Sequence, residues 1–181
     1  MADAPRRYSN IAIAFHWLLA LLIVGAFCVG VYMVGLSMSP QRLKLFNWHK
    51  WTGICILALS ALRLLWRLAH APPPDLPASP WQLRAAHATH WALYALFFAV
   101  PLMGWTYSSA AGFPVVLFGM IALPDFVSPD KVLAEAIKPW HGYLAFALAA
   151  LAALHVAAAV KHQWLDRDGL LLRMWPVRSG H

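Results

Sequence analysis

The sequence predicts an all-α integral membrane protein built as a four-helix bundle. Of its 181 residues, 61% are hydrophobic and only 12% are charged. A soluble domain usually carries about twice that charged fraction. Three stretches, Ile11 to Leu36, Ala85 to Pro124 and Pro139 to Val160, contain no Asp, Glu, Lys or Arg. Each is longer than the roughly 18 apolar residues that mark a membrane-spanning helix. Proline-rich and polar junctions divide the chain into spans of bilayer length.

The first span is expected near residues 10–37. Arg6 and Arg7 precede it in the manner of a secretory signal, but the apolar run is too long for one and a second span follows closely. The second span, near 46–68, is centred on Gly53 to Leu62 and lengthened by Asn47 to Thr52 and by Arg63 to Leu68. "SPQRLK" separates these two, and "HAPPPDLPASP" separates the second from a third near 83–108. The fourth lies near 138–164. Between the last two, Pro129 to Ile137 is expected to form a short surface helix. Phe113 to Leu123 is expected to graze the membrane or cover a site at that end, and is too short for a fifth span. The whole chain, 1–181, reads as one transmembrane domain.

Orientation follows from the basic residues. With the N-terminus inside, Arg6, Arg7, Arg63, Arg67, Arg84, Lys161, Arg167, Arg173 and Arg178 fall on the cytoplasmic side, nine against five for Arg42, Lys44, Lys50, Lys131 and Lys138 outside. The positive-inside rule therefore places both termini of this multi-pass protein in the cytoplasm. Trp17, Trp48, Trp81, Trp140 and Trp164 fall near the expected interfaces, where an indole is stable at headgroup level. The net charge of +7 flanks the spans and forms no single patch, which speaks against a nucleic-acid partner. Membrane lipid is the expected surrounding. Cys28 and Cys55 both lie in apolar segments, so no disulfide framework is expected.

Histidines inside apolar spans need partners and are functional candidates. His141 and His155 are fourteen residues apart, about 21 Å along a helix and within about 40° of one face. Two such separated imidazoles cannot share one zinc ion. Each can supply half the axial ligation of a separate b-type haem, the other half coming from another helix. Chain direction supplies the partners. His16, early in a span that enters from the cytoplasm, lies at the depth of His155; His49, early in the returning span, lies at the depth of His141. His90 lies at the inner depth too and competes with His16, and His87 sits one helical turn before it. The absence of a CxxCH motif argues against covalently attached haem.

"FHWLLALL", "WHKWTGICILALSALRLLWRL", "HATHWALYALFFAVPLMGW" and "WHGYLAFALAALAALHVAAAVKH" together resemble the prokaryotic cytochrome b561 family. The resemblance is nearest to its small two-haem members, including the superoxide oxidase (superoxide:ubiquinone oxidoreductase) type, and it covers nearly the whole chain. It implies that His16, His49, His141 and His155 are iron ligands of two haem b groups and that His87 and His90 are not. It also implies a ubiquinone site near His162 and a location in the inner membrane of a bacterium.

Within that frame, Arg63, fourteen residues after His49, is expected near the inner haem, where its guanidinium would pair with a propionate. Arg67 is expected to be an interfacial anchor. His162 and Lys161 are the candidate catalytic residues at the quinone, one relaying a proton and one favouring developing negative charge. Around the outer haem, Arg42, Lys44, Lys50, Lys131 and Lys138 would form a mouth attractive to a small anion. The expected activity is oxidation of periplasmic superoxide to oxygen with reduction of ubiquinone. The alternatives are a cytochrome b subunit fed by a periplasmic dehydrogenase or soluble cytochrome, and a haem-binding sensor without enzymatic activity.

Overall fold

The computed structural model describes residues 7–176, so the expected charges at Arg6 and Arg178 lie outside the described residues. Four long helices dominate: α1 (Asn10–Val34), α2 (Pro40–Ala69), α3 (Pro80–Ala110) and α4 (Lys131–Lys161). α1, α2 and α4 combine the length and apolar content needed to cross a membrane. α3, with 31 residues, is as long as its neighbours, and Pro101 and the run from Gly104 to Ser109 interrupt its apolar stretch.

The helix starts show why the boundaries fall where they do. Ser9 accepts a hydrogen bond from the Ala12 amide, and Ser39 accepts one from Arg42. Ser79 and Gln82 close a capping box, and Asp130 accepts from the amides of Val132 and Leu133. Pro40 and Pro80 occupy first helical positions, where a missing N–H costs nothing. Ser39 with Pro40 starts α2 six residues earlier than expected, so most of "SPQRLK" is helical and the turn between the first two helices is only residues 35–39.

The segment between α3 and α4 differs from expectation in the same way. Pro129 to Ile137 is not a separate surface helix: from Lys131 on it is the first two turns of α4, continuous through Pro139. The Asp130 cap starts the helix there. Ahead of it, β1 (Val116–Leu117) and β2 (Ile121–Ala122) pair antiparallel in a small hairpin. Phe118 and Gly119 turn it with φ of 53° and 74°. Trp51 Nε1 donates to the Val116 carbonyl at 2.7 Å and Lys50 Nζ to the carbonyls of Phe113 and Pro114. These bonds fasten the hairpin over the N-terminal end of α2.

α3 packs most closely on α4, α1 on α2, and α2 on α3, whereas α1 and α4 touch little. The core is small: Leu93, Tyr94, Phe97 and Leu148 form its buried centre, joined by Ile23, Leu64 and Leu151. Leu148 lies midway between His141 and His155 on α4, so this apolar plug separates the two ends of the bundle. Large apolar side chains such as Leu21, Val24, Leu65 and Phe146 face outward. That is the pattern of a protein whose solvent is hydrocarbon.

Candidate functional site: two imidazole pairs

At one end of the bundle His49 of α2 faces His141 of α4, ring centroids 6.1 Å apart and planes at 87°. At the other end His16 of α1 faces His155 of α4, at 6.2 Å and 68°. An imidazole nitrogen sits about 2 Å from a bound transition metal, so two rings ligating one ion from opposite sides have centroids roughly 6 Å apart. Both pairs have that spacing. His90 of α3 also approaches His155, at 5.5 Å, which is closer than such a ligand pair stands.

The first pair is oriented by the backbone. His49 Nδ1 donates to the Ala26 carbonyl at 3.0 Å, and His141 Nδ1 donates to the Val100 carbonyl at 3.1 Å. That tautomer leaves each Nε2 lone pair free to bind metal. One helical turn beyond each carbonyl lies a glycine, Gly30 after Ala26 and Gly104 after Val100. A Cβ at Gly30 would stand 3.0 Å from His49 Cε1, and one at Gly104 only 2.8 Å from His141 Cε1. The two imidazoles therefore lie flat against neighbouring helices in grooves that only glycine leaves open. These glycines and carbonyls escape a sequence reading that follows the histidines alone. Their signal was present as a glycine in the facing span at the depth of each ligand.

The second pair is built differently. Arg63 Nη2 lies 3.3 Å from His16 Nδ1 and must be the donor. The same guanidinium stands over the Tyr94 ring, as does that of Arg67. Arg67, His87, His90, Trp91 and Tyr94 line a cavity of about 150 Å³ beside this pair. His87 is paired with Asp75 at 3.1 Å on the surface.

Beyond α4, a single π turn (His162–Asp166) and a short 3₁₀ helix (Leu171–Met174) fold back under the bundle. Trp17 Nε1 donates to the Met174 carbonyl, Arg7 to that of Trp175, and Arg173 to that of Pro74. His162 Nδ1 meets Asp168 at 2.5 Å, and Lys161 Nζ meets Asp166 at 2.5 Å. The two candidate catalytic residues thus each carry a carboxylate partner, Asp168 and Asp166, that the sequence reading did not pick out. A cleft of about 480 Å³ lined by Gln163, Trp164, Arg167, Gly169 and Leu172 opens beside them.

The family described as prokaryotic cytochrome b561 matches residues 7–177. The chain belongs to that family. It is 37% identical to cytochrome b561 homolog 2 of Escherichia coli (strain K12), over 95% of this chain and 93% of the relative. It is 32% identical to the probable superoxide oxidase CybB of Yersinia pestis, over 97% and 99%. With cytochrome b561 homolog 1 of Escherichia coli (strain K12) it shares 30% over 96% and 99%. As a member of the cytochrome b561 family, the protein binds b-type haem and transfers electrons in a membrane. At the His49–His141 pair the glycine grooves and the free Nε2 positions fit such a group, and the ring spacing fits it at both pairs.

Proposed function

We propose that the protein binds two haem b groups, one at each imidazole pair, and oxidises superoxide at the His49–His141 end while reducing ubiquinone at the His16–His155 end. The observation that carries this reading is the presence of two metal-spaced imidazole pairs at opposite ends of one helix, α4. With the N-terminus in the cytoplasm, the first pair is outer and the second inner. Likeness to a protein named a probable superoxide oxidase supports the donor. The balance is two superoxide anions, one quinone and two protons giving two oxygen molecules and one quinol.

Each haem supplies one-electron chemistry when bound. The residues of the chain do the rest. His49 and His141, locked by backbone carbonyls, hold their Nε2 atoms fixed toward the iron. Leu93, Phe97 and Leu148 keep water out of the space between the pairs. At the inner end the cleft beside Trp164 and Gln163 takes the quinone ring. His162 passes protons to it from the aqueous side, and Asp168 accepts from His162 Nδ1 and holds the imidazole in orientation. Lys161, ion-paired with Asp166, balances the charge that develops on the quinone oxygen.

Anaerobic protein mixed with superoxide and then with ubiquinone tests this reading by absorbance. Fast haem reduction followed by reoxidation is expected. No response to superoxide would overturn the assignment. The hairpin favours a second reading, in which a periplasmic protein is the donor: Phe118, Met120 and Ile121 present an exposed apolar tip at that end. Reduction by a soluble periplasmic donor, with superoxide inert, would select it.

Steering gives a separate prediction. Arg42, Lys44, Lys50 and Lys131 lie at the outer end, and Lys138 is partly offset by Glu135 at 3.9 Å. Raising salt from 0.1 M to 1 M shortens the Debye length from about 10 Å to about 3 Å and should slow reduction by superoxide about tenfold or more. Lys50→Gln together with Lys138→Gln should lower the rate at low salt and flatten its salt dependence, with both haems retained. Stopped-flow reduction across a salt series measures both effects.

A further inference from the structure

We propose that His162, Asp166 and Asp168 form a binding site for one divalent transition cation of the zinc class, and that an ion held there stops His162 from relaying protons. The site stands on its own geometry. The block on proton relay rests on the quinone reading above.

The three side chains come from seven residues of chain, and the backbone turns them toward one point. His162 and Asp166 open and close the π turn, four residues apart, so their side chains share a face. Arg167 then enters the left-handed region with φ of 53°, and its N–H closes on the His162 carbonyl. The Asp168 N–H points to the same carbonyl at 3.4 Å. The chain is folded back by these contacts, which returns the Asp168 carboxylate to the imidazole. The Leu170 amide donates to Asp168 Oδ1 at 2.9 Å and leaves Oδ2 on the ring. His162 Nδ1 lies 2.5 Å from Asp168 Oδ2 and 3.2 Å from Asp166 Oδ2.

A single Nδ1–H serves one of these carboxylates and cannot serve both. The nitrogen and the two oxygens lie within 4.8 Å of one another. Two ligands of one zinc ion stand at most about 4 Å apart, so small side-chain movements bring all three atoms onto one ion, with water in the fourth position. Among the described residues no other group of His, Cys, Asp and Glu gathers three ligand atoms so closely. The imidazole selects the class of ion. Calcium and magnesium are held by oxygen, whereas one nitrogen with two carboxylates suits zinc and its neighbours.

Lys161 is the resident counter-ion, meeting Asp166 Oδ1 at 2.8 Å and Oδ2 at 2.5 Å. Two carboxylates against one ammonium leave a negative charge beside a neutral imidazole, and that charge attracts a second cation. To reach Asp166 the metal must displace the ammonium, whose side chain is about half exposed and can swing into water. Lys161 therefore competes with the ion. The cleft beside Gln163 and Trp164 gives it a way in.

An imidazole relays by taking a proton at one nitrogen and releasing one from the other. A metal on Nδ1 confines the single proton of the ring to Nε2 and parts the ring from Asp168. The exchange stops, with neither imidazole pair of the bundle touched.

Equilibrium dialysis of haem-loaded protein without a polyhistidine tag against zinc chloride tests the site. One zinc per chain is expected, not displaced by excess calcium. His162→Ala and Asp168→Asn should each weaken binding by more than about tenfold, the loss that removing even a supporting partner of a metal ligand causes. Lys161→Gln should tighten it. His87→Ala, which breaks the surface pair with Asp75, should leave it unchanged. Binding in wild type no tighter than in His162→Ala and Asp168→Asn, or binding lost in His87→Ala, would overturn the site. Weaker binding in Lys161→Gln would overturn the role of Asp166 as a ligand. In stopped flow, zinc should slow reoxidation of the reduced haem by ubiquinone, and EDTA should restore the rate. Zinc bound at the cluster with no slowing would overturn the block alone. Metal-free protein that ubiquinone fails to reoxidise would remove the quinone reading and the block with it, and the dialysis would still decide the site.

Discussion

His141→Ala is expected to halve the haem content of the protein, from about two per chain to about one, because on the two-haem reading each iron would take two imidazoles and lose its hold when one is gone. His49→Ala should remove the same spectral and redox component, since the two rings face each other at 6.1 Å. His16→Ala and His155→Ala should both remove the other. Pyridine haemochrome assays against protein concentration give the ratio, and redox titration identifies which component is missing. His90→Ala discriminates among the inner histidines. Its ring stands 5.5 Å from His155, near enough to replace His16 only if the helices shift, so this variant should keep both haems. A His90→Ala protein with one haem, beside a His16→Ala protein with two, would mean that α3 and not α1 supplies the inner ligand.

Gly104→Ala should be nearly as damaging, although it removes nothing. The added methyl would stand 2.8 Å from His141 Cε1, closer than carbon atoms approach, so the imidazole or α3 must move. An imidazole fixed at Nδ1 by the Val100 carbonyl and, once haem is bound, held at Nε2 would have no freedom to yield. Overpacking of this kind costs about 1–3 kcal/mol, which corresponds to a loss of haem affinity of roughly five- to 150-fold. Gly30→Ala meets His49 Cε1 at 3.0 Å and should fall lower in that range. Gly25→Ala and Gly142→Ala meet nothing within 4 Å and should bind haem normally. Haem retention during dilution, followed by the Soret band, separates the two classes. Equal retention in all four variants would show that the grooves are not needed.

These two sets of variants differ in how far their targets could be read from the sequence. The four helices were legible because uncharged runs of bilayer length have few alternatives. Their ends were less so: the Ser39–Pro40 and Asp130 caps extend α2 and α4 beyond the apolar runs, and a reading by hydropathy stops where the charge begins. The histidines were legible in pairs because antiparallel spans fix depth, and the rings that meet are those of equal depth. The glycine grooves were not, since a glycine in an apolar helix reads as packing until the facing side chain is known. Arg63 was placed at the right level, and the structure sets it beside His16. Helical pitch determines height and face, but contact with a ring on another helix depends on interhelical distance. Asp166 and Asp168 belong to a tail that turns through a left-handed Arg167 with φ of 53°, a fold-back that no periodicity announces.

The sparse contact between α1 and α4 has a consequence for how the protein is made. α1 packs on α2 and α3 on α4, and these two helical hairpins, joined by the proline-rich stretch before Pro80, meet along α2 and α3. The imidazole pairs join α1 to α4 and α2 to α4, helices that otherwise have little holding them together. Haem held between these imidazoles would tie α4 to α1 and α2, and its free energy of binding would then also be free energy of tertiary assembly.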